Sequence, residues 1–235
     1  MFFIPFGTKE RTRRQRFPYV TWALVLANIA VFAYQIYLQS SIGPAAFASF
    51  INLFATTPTD ITDGTPFELS LLTSMFMHAG LLHIAGNMIY LLPFGDNVED
   101  RLGHVRYIIF YLLCGFIATL VYVLFNPNST IPLLGASGAI AGVLAGYLAL
   151  HPTGSVKGLL IIIIFVTRIS LPAFIFIGYW IATQIFYSVS SFGTMSDEGG
   201  VAFLAHVAGF VAGLVLAPLL AAGRPKQDQA QEFLG

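Results

Sequence analysis

Long apolar stretches alternate with short polar breaks along the 235-residue chain. An apolar helix needs about 20 residues to cross the hydrocarbon core of a bilayer. Six stretches are predicted to cross it: about 17–38, 70–95, 105–125, 133–150, 171–190 and 201–222. Polar or charged residues dominate the breaks between them: 58–68, 95–106, 126–130, 151–158 and 193–200. The pattern predicts an all-α, polytopic membrane protein, a bundle of six transmembrane helices.

The chain shows no repeat of fixed period and no low-complexity tract, so we expect one integral membrane domain. We place this domain at 17–222. A basic N-terminal segment, 1–16, precedes it, and a C-terminal tail, 223–235, follows it.

The first apolar stretch has two interpretations. Basic residues precede it, and Ala46-Phe47-Ala48 resembles a signal-peptidase site. However, the stretch is longer than the apolar region of a usual signal peptide, and Gly43-Pro44 lies before the possible site. We therefore expect a retained signal-anchor helix.

The composition narrows the class of protein. The chain is 57% hydrophobic and only 9% charged, whereas soluble domains carry about 25% charged residues. A net charge of zero argues against nucleic acid as a partner. The single cysteine, Cys114, has no second cysteine with which to form an internal disulfide.

The distribution of charge predicts the orientation in the membrane, because lysine and arginine accumulate on the cytoplasmic flanks of membrane helices. All eleven basic residues lie before the first stretch, between the second and third, between the fourth and fifth, or after the sixth: Lys9, Arg11, Arg13, Arg14, Arg16, Arg101, Arg106, Lys157, Arg168, Arg224 and Lys226. The other loops carry acidic residues instead: Asp60, Asp63, Glu68, Asp197 and Glu198. Both termini are therefore predicted to be cytoplasmic, as in a multi-pass protein of the cell (inner or plasma) membrane.

The apolar segment 158–167 could disturb this topology. It has ten residues, many of them β-branched, and is too short to span a bilayer as a helix. We expect an interfacial or re-entrant segment rather than a seventh crossing.

Four polar side chains are predicted to share one depth. Polar groups within spans are costly and mark functional sites by default. At about 1.5 Å per helical residue, Ser137 lies roughly 6 Å and His206 roughly 8 Å below the outer surface. His83 lies in the outer half of the second stretch, and Asn87 lies one turn deeper on the same face.

Small residues at four-residue spacing would bring these side chains together. Gly138, Gly142 and Gly146 form such a stripe in the fourth stretch. Ala205, Gly209 and Gly213 form another beside His206. Stripes of this kind let membrane helices approach closely, which a short serine side chain needs in order to reach a histidine on another helix.

The grouped side chains suit acyl transfer. A serine hydroxyl becomes nucleophilic when an adjacent histidine accepts its proton. The oxyanion that forms needs preorganised donors, and His83, Asn87 and the N–H groups at the start of the fourth helix could supply them. The spans contain no acidic residue to orient His206, so a Ser137–His206 dyad is predicted rather than a triad.

Each residue also has a structural interpretation when taken alone. An isolated intramembrane serine commonly bonds to the carbonyl one turn earlier, and an isolated histidine commonly bonds between helices or relays protons. Asn87 could tie helices together. A proton-relaying transporter would need polar groups through the full bilayer depth, whereas here they stop in the outer half.

Three motifs in order closely resemble those of the rhomboid family of intramembrane serine proteases. The GxSG motif reads Gly135-Ala136-Ser137-Gly138, and the AHxxGxxxG motif runs from Ala205 to Gly213. The HxxxxHxxxN motif runs from His78 through His83 to Asn87. The resemblance covers roughly residues 15–222.

The resemblance implies a role for each matching residue. Ser137 would be the nucleophile and His206 the general base and acid. His83, Asn87 and the Ser137 backbone N–H would form the oxyanion site, with Gly135 of GxSG placed in the same oxyanion and substrate-binding group. His78 would help to shape the cavity.

The resemblance also implies the partners. Substrates would be single-pass or polytopic membrane proteins, cleaved in their transmembrane segments near the outer end, in contact with the lipid bilayer. No cofactor, metal or nucleic acid is expected. The break 193–200, with its glycines and small polar residues, would form a mobile cap before the sixth helix.

The chain departs from the family pattern in two places. The first loop, 39–68, lacks the Trp-Arg pair common in the family, and position 141 is Ala141 where relatives often have an aromatic residue that packs on the histidine. An inactive relative that binds membrane clients is the alternative function, although such relatives lose the serine or the histidine and this chain keeps both.

Overall fold

A computed structural model describes residues 2–10, 16–62, 69–162, 165–191 and 202–223. The described helices are α1 (Tyr19–Tyr37), α2 (Pro44–Phe54), α3 (Pro58–Thr62), α4 (Ser70–Thr73), α5 (Leu81–Leu102), α6 (His104–Phe125), α7 (Ser137–Leu150), α8 (Ala173–Ser191) and α9 (Ala202–Ala221). A π-helical turn (Leu38–Ile42) extends α1, and a 3-10 turn (Ser74–Phe76) follows α4. The described strands are β1 (Phe2–Lys9), β2 (Ser155–Ile162) and β3 (Phe165–Pro172).

The helices confirm a multi-pass helical bundle. In the described part of the chain, α1, α6, α8 and α9 are long and apolar enough to cross a membrane. The segment Ser70–Phe76 and α5, bent by 91° at the break between them, pass the same test together and count as a fifth when taken as one span. The remaining predicted span corresponds to α7, which is apolar but has only 14 residues. The six predicted segments therefore occur in order, although their bounds differ.

The prediction that 95–106 is a loop was wrong, because α5 continues to Leu102. Three polar residues of this segment, Asn97, Glu99 and Asp100, are buried, Glu99 fully. The Glu99 carboxylate accepts the N–H groups of Val20 and Thr21 at 2.9 and 2.7 Å, and the Thr21 hydroxyl at 2.7 Å. These N–H groups belong to the first turn of α1, which has no intrahelical acceptor for them. Glu99 thus joins the end of α5 to the start of α1.

A three-stranded antiparallel sheet, which the sequence interpretation did not foresee, lies beside the bundle. The order of its strands is β1-β2-β3. β2 and β3 form a hairpin over most of 158–167. Of the two expectations for this segment, the re-entrant one was therefore wrong, and the interfacial one stays a prediction. Valine and isoleucine favour strands, and β1 supplies the partner that a lone hairpin lacks.

Loop contacts group the ends of the helices. The sheet joins β1, before α1, to the β2–β3 hairpin between α7 and α8. Arg106, at the start of α6, donates to the Leu220 carbonyl at the end of α9 at 2.7 Å. At the other end, Thr56 pairs with Leu133. All basic residues among these described segments therefore lie at one end of the bundle.

Helix α7 lies at the centre of the bundle, with every residue from Gly138 to Tyr147 buried. The two predicted stripes face each other. A Cβ added at Gly209 would overlap the backbone of Gly138, and one added at Gly213 would overlap the backbone of Gly142. The absence of these side chains lets α7 and α9 touch backbone to backbone.

Candidate active site

Ser137 is the first residue of α7, so the helix begins four residues later than predicted. The preceding segment is extended because Leu133 pairs with Thr56. The Gly135 N–H donates to the Ser74 carbonyl at 2.9 Å, and Gly135 has φ of 131°. This turn presents the Ser137 side chain to the interior of the bundle.

The structure brings Ser137 and His206 together across 69 residues of sequence. Ser137 Oγ lies 2.7 Å from His206 Nε2. The distance is within the range of a strong hydrogen bond. The close contact of α7 with α9, at Gly209 and Gly213 just after His206, makes this short bridge possible.

The other nitrogen of His206 has a partner that the sequence interpretation missed. His206 Nδ1 lies 2.7 Å from Gln184 Oε1, on α8. Gln184 is buried. The available signal was a glutamine within an apolar span, where polar residues usually have a function, but the sequence interpretation considered only acidic partners.

Aromatic side chains also enclose the His206 ring. The Trp180 ring lies 5.9 Å from it, centroid to centroid, and the Phe203 ring lies edge-on at 6.2 Å. Ala141 is fully buried and small. Helix α8 therefore supplies an aromatic contact to the histidine, whereas relatives often use position 141.

His83 lies against the turn that precedes Ser137. A Cβ at Gly135 would lie 2.9 Å from His83 Nε2 and 3.8 Å from Ser137 Oγ, so these two atoms flank Gly135. The Ala79 N–H donates to His83 Nδ1 at 3.4 Å. Since Nδ1 accepts, the ring proton is on Nε2, where it can be donated into the site.

Asn87 supplies a further unused donor. Its side chain is 7% exposed, and its amide nitrogen has no hydrogen-bond partner among the described residues. A buried donor without a partner is costly, and Asn87 lines the same cavity as Ser137. The cavity therefore contains an amide N–H that is free to bind an oxygen.

His78 does not line the cavity with the other predicted residues. Its buried ring packs edge-on against His83, centroid to centroid at 5.1 Å. Its backbone N–H and carbonyl are bound by the Gln35 amide at 3.0 and 3.1 Å. The bend at 77–80 turns His78 behind His83, so it can affect the cavity only through that ring.

The candidate site is a cavity of about 330 Å³ between α5, α7, α8 and α9. Its lining includes His83, Asn87, Ser137, Gln184 and His206. Ser137 and His206 thus share one space with His83 and Asn87, the two side chains predicted to bind the oxyanion. The expected cap, 193–200, lies outside the described residues.

Comparisons with known proteins identify the family. The Rhomboid domain model matches residues 67–223. That match covers more than half of the chain and contains all three motifs. The chain belongs to the rhomboid family, and its residues are folded as a multi-pass membrane domain of the kind found in intramembrane proteases.

Relatives in this family include both a named protease and a named inactive protein. The chain is 30% identical to RHOMBOID-like protein 1 of Arabidopsis thaliana over 57% of this chain and 40% of that protein. It is 37% identical to rhomboid protease GluP of Bacillus subtilis, over 33% of this chain and 15% of GluP. It is 39% identical to inactive rhomboid protein 1 of Drosophila melanogaster, over 37% of this chain and 6% of that protein. The matches span well under half the length of these relatives.

Proposed function

We propose that the protein is an intramembrane serine endopeptidase that cleaves transmembrane segments of other membrane proteins. The observation that carries the proposal is the 2.7 Å contact between Ser137 Oγ and His206 Nε2 inside a rhomboid-family helical bundle. The similarity to rhomboid protease GluP supports it.

In the proposed reaction, Ser137 Oγ attacks the carbonyl carbon of the substrate while His206 Nε2 accepts the hydroxyl proton. The tetrahedral intermediate collapses as the C–N bond breaks, and His206 returns the proton to the leaving nitrogen. Water then attacks the acyl-enzyme with His206 again as base, which releases the acid product and restores the Ser137 hydroxyl. These reaction steps need no cofactor or metal.

The oxyanion would be stabilised by His83 Nε2–H, the Asn87 amide and the Ser137 backbone N–H. This assignment is supported by the unpartnered Asn87 nitrogen and by the position of His83 beside Gly135. The start of α7 adds favourable dipole interactions for a negative charge. Gly135 would provide the space between donor and nucleophile.

The reaction would take place below the membrane surface. A 14-residue helix is about 21 Å long, about 9 Å less than the hydrocarbon core. With Leu150 at the cytoplasmic boundary, as the basic residues favour, Ser137 lies within the outer half of the cell membrane. This depth suits a substrate that is itself a transmembrane segment.

The test is cleavage of a model transmembrane substrate by the purified protein in liposomes. Wild type is expected to cleave it, whereas Ser137→Ala and His206→Ala are each expected to remove cleavage without changing the far-UV circular dichroism. An inactive protein that binds membrane clients, the alternative function, would bind the substrate and leave it intact; the match to inactive rhomboid protein 1 keeps inactivity as an outcome of the test. Cleavage by purified Ser137→Ala would exclude Ser137 as the nucleophile.

A further inference from the structure

The buried side of the His206 ring is connected to a run of hydrogen bonds along α8. His206 Nδ1 lies 2.7 Å from Gln184 Oε1, and Gln184 Nε2 donates to Thr183 Oγ1 at 3.2 Å. The Thr183 hydroxyl donates to the Trp180 carbonyl at 2.6 Å. These contacts join α8 to the pair proposed to carry out catalysis.

The direction of each bond in this run follows from the chemistry of its groups. A carbonyl oxygen can only accept, so the single hydroxyl proton of Thr183 is used on Trp180. Thr183 Oγ1 can then only accept from its other neighbour, which must be the NH₂ group of Gln184. The amide oxygen of Gln184 therefore faces His206, and Nδ1 must carry the ring proton.

We infer that Gln184, oriented by Thr183, is a positioning residue that fixes the Nδ1–H tautomer of His206 and so keeps Nε2 free to accept the Ser137 proton. This inference rests on the proposed function. It assigns to a neutral amide the orienting role that a carboxylate has in a Ser-His-Asp triad. It also explains how His206 is held although, among the described residues, its Nδ1 meets an amide rather than a carboxylate.

Helix α8 is suited to this role because Trp180 and Gln184 are one turn apart on the same face. Trp180 contacts the imidazole ring and Gln184 binds its nitrogen. The side of the ring opposite Gln184 meets Ser137, and His83 of α5 is the titratable group that interacts with His206 across the cavity. The ring is thus fixed by contacts from α7 and α8.

The first test compares kcat and KM for Gln184→Met and Gln184→Glu in the liposome assay. Methionine has a similar length but no strong acceptor, so kcat should fall about 10- to 100-fold with little change in KM, less than the roughly 10⁴-fold loss caused by the wrong tautomer in a carboxylate triad. Gln184→Glu keeps an acceptor for Nδ1–H and should retain activity. The negative charge of the glutamate favours the protonated His206 imidazole, which cannot accept the Ser137 proton, so the acid limb of the kcat/KM profile should move to higher pH.

Thr183 offers a matched pair that does not alter the amide. Thr183→Val removes the hydroxyl and lets the Gln184 amide flip, so kcat should fall, whereas Thr183→Ser keeps the hydroxyl and should restore it. Ser190→Ala is the neutral control, because the exposed Ser190 hydroxyl bonds only one turn back, to the Phe186 carbonyl. A wild-type kcat and pH profile in both Gln184→Met and Thr183→Val would overturn the inference.

A measurement that needs no catalysis separates this inference from the proposed function. In protein labelled with ¹⁵N-histidine, comparison of wild type with His206→Ala identifies the His206 ring resonances. The Nδ1–H tautomer is expected in neutral wild type, and the Nε2–H tautomer would contradict the role of Gln184. If wild type cleaves no substrate, the proposed function fails while the tautomer result still stands. If wild type cleaves normally but carries the other tautomer, only the role of Gln184 fails.

Discussion

The Ser137 hydroxyl reaches His206 because the residues just before it form a narrow turn. Gly135 has a φ of 131°, which side chains rarely adopt, and its α-carbon faces His83. A Cβ there would lie 2.8 Å from His83 Cε1. Glycine is therefore required for both the backbone conformation and the space.

Gly135→Ala is expected to destabilise the protein by about 1–3 kcal/mol through backbone strain and to reduce cleavage by displacing His83. Unfolding in mixed micelles and cleavage in liposomes measure the two effects. Gly178→Ala is the matched control, since nothing lies within 4 Å of its added Cβ and it is helical. Unchanged cleavage in Gly135→Ala would show that the site tolerates a shifted His83.

Asn87→Ala is expected to lower kcat by about 10²–10³-fold, the usual effect of removing one oxyanion donor. The loss should be smaller than in Ser137→Ala, because His83 and the Ser137 N–H remain. Single-turnover kinetics measures the chemical step. Wild-type kinetics would assign Asn87 to helix packing instead.

For individual site residues, the sequence allowed correct predictions where regular spacing placed side chains on one face of a helix. Ser137, His206, His83 and Asn87 were all predicted, and the structure places them in or around one cavity. Gln184 was missed because its role depends on which face of α8 meets α9, which periodicity in a wholly apolar helix does not reveal. His78 was predicted to help shape the cavity, because the sharp bend at 77–80 that turns it behind His83 cannot be recognised in an apolar stretch of sequence.

Among the elements, the contact of α5 with α1 depends most on one side chain. Glu99 accepts two N–H groups and one hydroxyl from the first turn of α1. Its Oε1 also lies 2.6 Å from His104 Nδ1. A carboxylate at this end of α1 also interacts favourably with the helix dipole.

Glu99→Gln is expected to lower the free energy of unfolding by about 1–3 kcal/mol, because the amide leaves a buried donor without an acceptor. Denaturant or SDS titration in micelles measures the change. Asp60→Asn makes the same chemical change at an exposed position, where water can replace a lost partner, and should cost less than Glu99→Gln. Equal stability of Glu99→Gln and wild type would show that this contact does not contribute.

The elements also show where sequence patterns are ambiguous. The charges of 95–106 indicated a loop, yet Glu99 is buried because the start of α1 needs acceptors. The segment 158–167 forms strands because β1, about 150 residues earlier, pairs with it. Neither partner can be identified from the local sequence.

For the whole molecule, the contacts between loops divide the bundle into two ends. The sheet and the Arg106 contact with α9 lie at one end, and the Thr56–Leu133 pair lies at the other. This grouping agrees with the partition of basic residues. The charge pattern alone predicted this grouping. In the predicted topology four crossings separate β1 from β2, and an even number of crossings returns the chain to the same end of the bundle.

The orientation predicts the accessibility of two introduced cysteines. Asn128 and Thr153 are exposed at opposite ends of α7, whereas native Cys114 is buried. A membrane-impermeant maleimide should label Asn128→Cys in spheroplasts and label Thr153→Cys only after lysis. The reverse pattern would place the site on the cytoplasmic side.

The central claim is that His206 makes the Ser137 hydroxyl nucleophilic within the membrane domain. Labelling with a fluorophosphonate, followed by mass spectrometry of the adduct, tests it most directly. Wild type is expected to be modified on Ser137, whereas Ser137→Ala and His206→Ala are expected to remain unmodified. Equal modification of Ser137→Ala, or an adduct on another residue, would contradict it.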